Sequence, residues 1–382
     1  MNGGYQSSAY GWTESKQTNV VSGFQNLHVD WPLLAGILVL TTVGLVVQYS
    51  ASGQDWSVVS RQMIMLGIAY VVMFVIAQLQ PYHIEMWTPW VFAFGILLLL
   101  IVLFFGDTGK GAQRWLDLGL FRFQPSEIMK LAVPMMVAWY VAERALPPSV
   151  SRLAIALVII LVPVVLIAKQ PDLGTSLLVA SAGIFVLLLT GLSWKWILSA
   201  VITFSAVTPI GWFYLMHDYQ RQRVLTFLNP ESDPLGSGYH IIQSKIAIGS
   251  GGLYGKGWLN GTQSQLDFLP ERSTDFIFAV FAEEFGLIGI ILLLSIYLYI
   301  IFRGLTIAYQ AQSSFTRLLA GSLTLTFFVY VLVNIGMVSG LLPVVGVPLP
   351  LVSYGGTSMV TLMSGFGILM SIHTHRKLLT AT

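Results

Sequence analysis

The 382-residue chain contains no cysteine, and only 9% of its residues are charged. The first absence excludes disulfides and thiolate metal centres. The second excludes a soluble domain of ordinary size, where about a quarter of residues carry charge. A formal net charge of +2 supplies no basic field for holding nucleic acid. The opening segment lacks the basic start and short apolar core of a cleaved signal peptide. Residues 1–27, rich in Ser, Gln and Asn, read as a disordered cytoplasmic tail, and 379–382 as a short C-terminal one. The first apolar run, from Trp31, then acts as an uncleaved anchor.

Apolar sequence is abundant: 55% of residues are hydrophobic and the mean hydropathy is +0.76. It falls into about ten runs, and crossing a hydrocarbon core about 30 Å thick takes roughly 20 helical residues. Helices are expected over 31–50, 61–79, 88–106, 126–145, 153–169, 173–191, 195–215, 275–302, 316–339 and 352–372. Backbone groups in lipid must be satisfied within their own segment, which demands helices and rules out open strands there. The expected fold is therefore an all-α, multi-pass membrane domain over 28–378, with a long extracytoplasmic loop at about 216–274 between helices seven and eight. An even helix number places both termini on one side. A raw Lys and Arg count puts more positive charge on the outer segments. Long loops translocate regardless of charge, and setting that loop aside tips the balance toward termini inside. No internal repeat of the broken-helix transporter kind is visible.

Polar residues concentrate in a few segments. Between the third and fourth runs, Pro125 and Ser126 suit a helix start, Pro in the first turn and Ser as a cap. Glu127 and Lys130 then share one face near the membrane surface, where an ionisable residue is a functional candidate. A structural ion pair is the plain alternative. In Lys169-Gln-Pro-Asp172, Pro171 interrupts the chain and Asp172 opens a helix, so simple capping accounts for it unless it shares a cavity with Lys130.

The long loop begins His217-Asp-Tyr-Gln-Arg221-Gln-Arg223 and becomes glycine-rich from Gly249. It is not a nucleotide P-loop, which would need Gly at Ser250 and Ser or Thr at Gly257. Asn260-Gly-Thr262 fits a glycosylation sequon. Asp275 is placed in the first turn of an apolar helix that Ser273 or Thr274 would cap. It reads either as a dipole-favoured helix-start acid or as a general base at the membrane boundary. Glu283 and Glu284, deeper in that run, should meet Lys or His on neighbouring helices in a structural role. Gly340–Gly356 holds Pro343, Pro348 and Pro350 and cannot form a straight span; such backbone is tolerated where protein buries it or where it lines a cavity. The closing His373-Thr-His-Arg-Lys377 reads as a cytoplasmic stop signal rather than a metal site.

Taken together, Ser50–Asp55, Lys110–Gly119, Gln124-Pro-Ser-Glu127 with Lys130, Gln170–Thr175, His217–Arg223, Gly249–Phe278 and Pro343–Gly356 resemble the SEDS family (shape, elongation, division and sporulation) over about residues 28–378. The His217–Arg223 run and the closing His-Thr-His-Arg resemble its elongation type. The resemblance implies a peptidoglycan glycosyltransferase that polymerises lipid II by β-1,4 linkage on the outer face of the bacterial cytoplasmic membrane. It implies Asp275 as the essential acid, Glu127, Lys130 and Asp172 as cavity residues, and Trp115 within a segment needed for function, beside Arg114. It also implies a class B penicillin-binding protein and other elongation-complex proteins as partners.

Lys130, Arg221 and Arg223, taken as unpaired outward cations, would hold the substrate pyrophosphate. A divalent cation, Mg or Mn, would help neutralise that pyrophosphate, although no His or Cys cluster marks a site. The rival readings are a lipid II flippase, which predicts charges spread at mid-membrane depth, and a non-catalytic scaffold for the transpeptidase.

Overall fold

The computed structural model describes residues 27–109, 112–117, 122–210, 212–213, 216, 218–232, 237–266, 268–269 and 271–376. Apart from Leu27, both expected tails lie outside them. The long apolar helices are α1 (Trp31–Ala51), α2 (Trp56–Gln78), α3 (Pro81–Phe105), α4 (Pro125–Ala142), α5 (Val150–Lys169), α6 (Leu173–Leu189) and α7 (Trp194–Ile210). The long loop carries α8 (Asp218–Leu228), α9 (Ser237–Ser250) and the short α10 (Thr262–Gln265). The chain then forms α11 (Ile277–Tyr309), α12 (Ser314–Val338) and α13 (Thr357–Thr374).

Among the described residues, six helices are long and apolar enough to cross a membrane: α1, α2, α3, α5, α11 and α12. The other four apolar helices, α4, α6, α7 and α13, are shorter, at 17 or 18 residues each. Two helix starts lie earlier than expected, each set by a local signal. The Asp55 carboxylate accepts from the Ser57 amide at 2.8 Å and starts α2 at Trp56. Pro81, at the first turn of α3, moves that start earlier than the expected residue 88.

Open strands are excluded only within lipid, and the loop after α3 lies outside the apolar runs. There β1 (Asp107–Gly109), β2 (Ala112–Asp117) and β3 (Arg122–Phe123) form a small antiparallel sheet in that order. Its short alternating strands lie outside the apolar runs.

The core is built from α4, α6, α11, α12 and α13, with α12 packed on α4, α6 and α11. They bury small and polar residues such as Ala182, Ser322 and Asn334 beside the apolar core, while Leu177, Leu292 and Phe302 face out, as expected where lipid is the solvent. The tail histidines do not gather as a metal pair. His373 Nδ1 lies 2.7 Å from Asp30 Oδ2, and the His375 ring stacks on His28 at 3.8 Å.

Candidate active site

Pro125 occupies the first turn of α4, and the observed cap is Gln124, not Ser126. The Ser126 hydroxyl is buried without a hydrogen bond among the described residues. The displaced Gln124 side chain instead donates to Asp172 Oδ2 at 2.8 Å. One turn on, Lys130 Nζ donates to Glu127 Oε1 at 2.6 Å, with the two side chains only 9% and 6% exposed. The ammonium also lies 5.1 Å from the centroid of the Tyr330 ring. Lys130 is therefore not an unpaired outward cation; an ammonium survives such burial only with a partner. A cavity of about 40 Å³ opens beside Glu127, Lys130 and Tyr330.

Asp172 does cap α6, accepting from the Thr175 amide at 3.3 Å. It also stands 3.9 Å from Arg114 Nη1. Arg114 donates to the Gln170 carbonyl at 3.4 Å and to the Pro171 carbonyl. Asp172 is thus more than a cap: it ties β2 to the starts of α4 and α6. The Tyr330 hydroxyl lies in the field of Lys130, Glu127 and Asp172 together.

Neighbouring residues on a strand point to opposite faces. Arg114 faces Asp172, and Trp115 faces a cavity of about 1410 Å³ whose lining includes Met65, Trp87, Phe123, Leu131 and Val360. That cavity lies between α2, α3, α4 and α13 and is lined almost wholly by apolar side chains.

Asp275 stands before α11 rather than in its first turn. The N-cap is Phe276, and neither Ser273 nor Thr274 caps the helix. Thr274 Oγ1 turns back to Glu271, at 2.8 Å from its carboxylate. The reason is competition: the carbonyls of residues 273–275 are engaged by Tyr354, Ser353 and Asn334. The half-buried Asp275 carboxylate lies against Gly346, whose φ of +74° places its backbone there without a side chain.

Arg221 is not an unpaired cation either. It donates to the carbonyls of Trp212 and Phe213, each at 2.9 Å. His217 and the Arg223 side chain lie outside the described residues.

The glycine-rich loop is a docking device. At Gly286 (φ 62°, ψ −163°) α11 breaks, which frees backbone groups that must find partners. Lys256 and Gly257 amides donate to the Glu283 and Glu284 carbonyls, each at 3.0 Å, and the Leu287 amide donates to Gly252 at 3.0 Å. A Cβ at Gly251 or Gly255 would overlap the Ala282 or Glu284 carbonyl.

Glu283 is indeed structural, but its partner comes from this loop: Lys256 Nζ at 2.7 Å, with Thr262 Oγ1 at 3.0 Å. Glu284 accepts from Ser50 at the end of α1. In α9, His240 stacks on Phe276 at 5.7 Å. Burial pushes its imidazole below the ordinary value, only partly offset by the Glu271 charge.

Tyr330, Asn334 and Ser353 were missed as site residues. The first two were legible as polar residues one turn apart in an apolar helix. Ser353 carried no local signal.

An apolar helical bundle with a polar mouth of paired charges beside a large apolar cavity defines the class: a multi-pass membrane protein. The chain belongs to the FtsW/RodA/SpoVE family, described as cell cycle protein, which it matches over residues 25–378. It is 60% identical over 357 residues to peptidoglycan glycosyltransferase MrdB of Escherichia coli K12, covering 94% of this chain and 96% of that one. It is 34% identical over 423 residues to peptidoglycan glycosyltransferase RodA of Treponema pallidum, covering 91% and 98%.

Among solved structures, a chain of a peptidoglycan synthase complex that coordinates polymerization and crosslinking superposes with a TM-score of 0.80 at 32% identity, covering 90% of this chain and 97% of that one. The crystal structure of Thermus thermophilus rod shape determining protein RodA gives 0.70 at 27% identity, covering 91% and 98%.

Proposed function

We propose that this chain is a peptidoglycan glycosyltransferase of the elongation type, joining lipid II units into glycan strands during rod-shaped growth. It works with a class B penicillin-binding protein that crosslinks the product. The observation that carries the reading is the apolar cavity of about 1410 Å³ opening under Trp115 beside the charged mouth. A polyprenyl-linked sugar needs both: a slot for its hydrocarbon and fixed polar groups for its head. The site faces outward in this reading, and both termini are cytoplasmic.

In the proposed step, Asp275 takes the proton from the acceptor sugar's 4-hydroxyl. That oxygen attacks the donor's anomeric carbon as the bond to pyrophosphate breaks, with inversion. The electron pair leaves on undecaprenyl pyrophosphate, so no nucleotide is needed. Arg114, with a side chain 32% exposed, reaches the pyrophosphate while Asp172 and the Gln170 and Pro171 carbonyls hold it in place. Lys130 and Glu127, being buried, act by shaping the field and the cavity.

Mg²⁺ or Mn²⁺ would bind through one or two carboxylates plus the substrate's phosphates. Among the described residues no three of His, Asp or Glu converge. The described side chains therefore make no metal cage of their own.

The test is polymerisation of labelled lipid II by the protein with its cognate transpeptidase. Asp275→Asn should lower glycan output by about 10²-fold or more, the usual scale for losing a general base. Unchanged output would remove Asp275 from the role; lipid II translocation without glycan would favour the flippase instead.

A further inference from the structure

Three successive carbonyls just before α11 are each held by groups from the chain's far end. Ser273 O accepts from the Tyr354 amide at 2.9 Å, Thr274 O from Ser353 Oγ at 2.6 Å, and Asp275 O from Asn334 Nδ2 at 2.9 Å. Asn334 gives its second amide hydrogen to Val347 O at 2.8 Å. The Ser353 hydroxyl in turn accepts from the Leu349 amide at 2.7 Å. Both side chains are buried, Asn334 at 0% and Ser353 at 3% exposure. Two side chains thereby fasten three pieces of the fold: the approach to α11, the face of α12, and the proline-rich loop 347–354.

The arrangement is specific to a donor. Among the described residues Asn334 Oδ1 has no hydrogen-bond partner, so the amide is oriented by its two N–H groups. Asn334 lies one turn from Tyr330 on α12, and Tyr330 packs against Lys130. Four helical residues rise about 6 Å. One rigid helix face therefore spaces the Asp275 backbone from the Glu127–Lys130 pair. A carboxylate that must meet a hydroxyl within hydrogen-bond reach depends on where its Cα stands, and a misplacement of about 1 Å costs about 10²-fold in rate.

We infer that Asn334 and Ser353 are positioning residues for Asp275. They set the carboxylate against Gly346 and at a fixed distance from the buried ion pair. The inference rests on the reading of Asp275 as the base.

The experiment is steady-state polymerisation of labelled lipid II by the complete complex, comparing Ser353→Ala, Ser353→Thr and Asn334→Asp with the unaltered chain, alongside Asp275→Ala. Ser353→Ala should lower kcat about tenfold and leave KM within about twofold, since a displaced base slows the step without weakening lipid binding. Ser353→Thr, which keeps the hydroxyl, should recover most of that loss. Asn334→Asp loses both donors and should lower kcat by about 10²-fold.

In an Asp275→Ala background, Ser353→Ala should cost nothing further, because there is no carboxylate left to place. Normal kcat in Ser353→Ala, or a raised KM with normal kcat, overturns the inference. So does a further loss in the Asp275→Ala background, which would assign Ser353 a purely structural role. An active Asp275→Ala protein would instead remove the base itself, and that single variant reports it independently of the others. If Asn334→Asp does not assemble with its partner, the two Ser353 variants, one removing the hydroxyl and the other only adding a methyl beside it, still decide the matter.

Discussion

Lys130 shows how a single residue's role changes once its surroundings are known. As a letter in the sequence it reads as a cation available to an anionic ligand. In the fold its ammonium is spent on Glu127 and faces the ring of Tyr330. Removing one member of a buried pair leaves the other charge uncompensated, at a cost of about 3–5 kcal/mol, whereas removing both is far milder. Lys130→Met should therefore lower the thermal midpoint of the purified protein sharply, and the double change Lys130→Met with Glu127→Gln should recover much of it. A melting series on the two variants checks this; equal midpoints for Lys130→Met and the unaltered chain would show that the pair carries no stability.

The pairing was half-visible in the spacing of three between Glu127 and Lys130, because that spacing alone puts two side chains on one helix face. Asp172's second attachment, through Gln124 and Arg114, was not visible, since those partners come from a strand and a helix start distant in sequence.

At the scale of elements, the glycine-rich loop and the break in α11 explain each other. A helix interrupted at Gly286 exposes carbonyls and amides that the loop 252–257 satisfies reciprocally. The glycines are needed because backbone meets backbone there. The loop's other anchor is α9, where His240 lies on Phe276. Its imidazole is held below the ordinary value of 6.5 mainly by burial. The sign follows directly. The docked state prefers the neutral ring, so its stability is complete above pH 6.5 and falls as pH drops through the lowered value.

Hydrogen exchange should therefore speed up over 237–250 between pH 7.5 and 5.5, after correction for intrinsic rates. His240→Phe should abolish that change. Identical protection at the two pH values in the unaltered chain would refute it. The helices themselves were legible from length and hydropathy; the sheet after α3 was not, because three short strands give no periodic signal strong enough to stand out from a polar loop.

For the whole molecule, the first and last described helices are tied together through α11. Asp30 caps α1 and holds Arg303 of α11 at 2.6 Å and His373 of α13 at 2.7 Å. Burial opposes its ionisation, but the hydrogen bonds from His373, Arg303 and the Leu33 amide outweigh it and keep the carboxyl well below the usual carboxylate range. The large apolar cavity between α2, α3, α4 and α13 likewise belongs to no single element.

If that cavity holds the polyprenyl chain, filling it should penalise long-chain substrates most. Val360→Trp, on the cavity wall, should reduce kcat/KM for lipid II by about tenfold or more, and for a short-chain analogue by less than threefold; burying a CH₂ is worth about 0.8 kcal/mol, so a few displaced methylenes suffice. Equal losses for both substrates would place the hydrocarbon elsewhere.

The sequence by itself determined that the chain crosses a membrane in helices, that its polar chemistry gathers between the spans, and which family motifs it carries. These follow from hydropathy, length and local spacing, which are properties of adjacent residues. Only the tertiary structure decided that Lys130 and Arg221 are engaged and that Asp275 stands ahead of its helix. It alone revealed that Asn334 and Ser353 grip the backbone beside it. Those facts depend on which distant carbonyl competes for which donor, and that competition is settled only when α11, α12 and the proline-rich loop pack together.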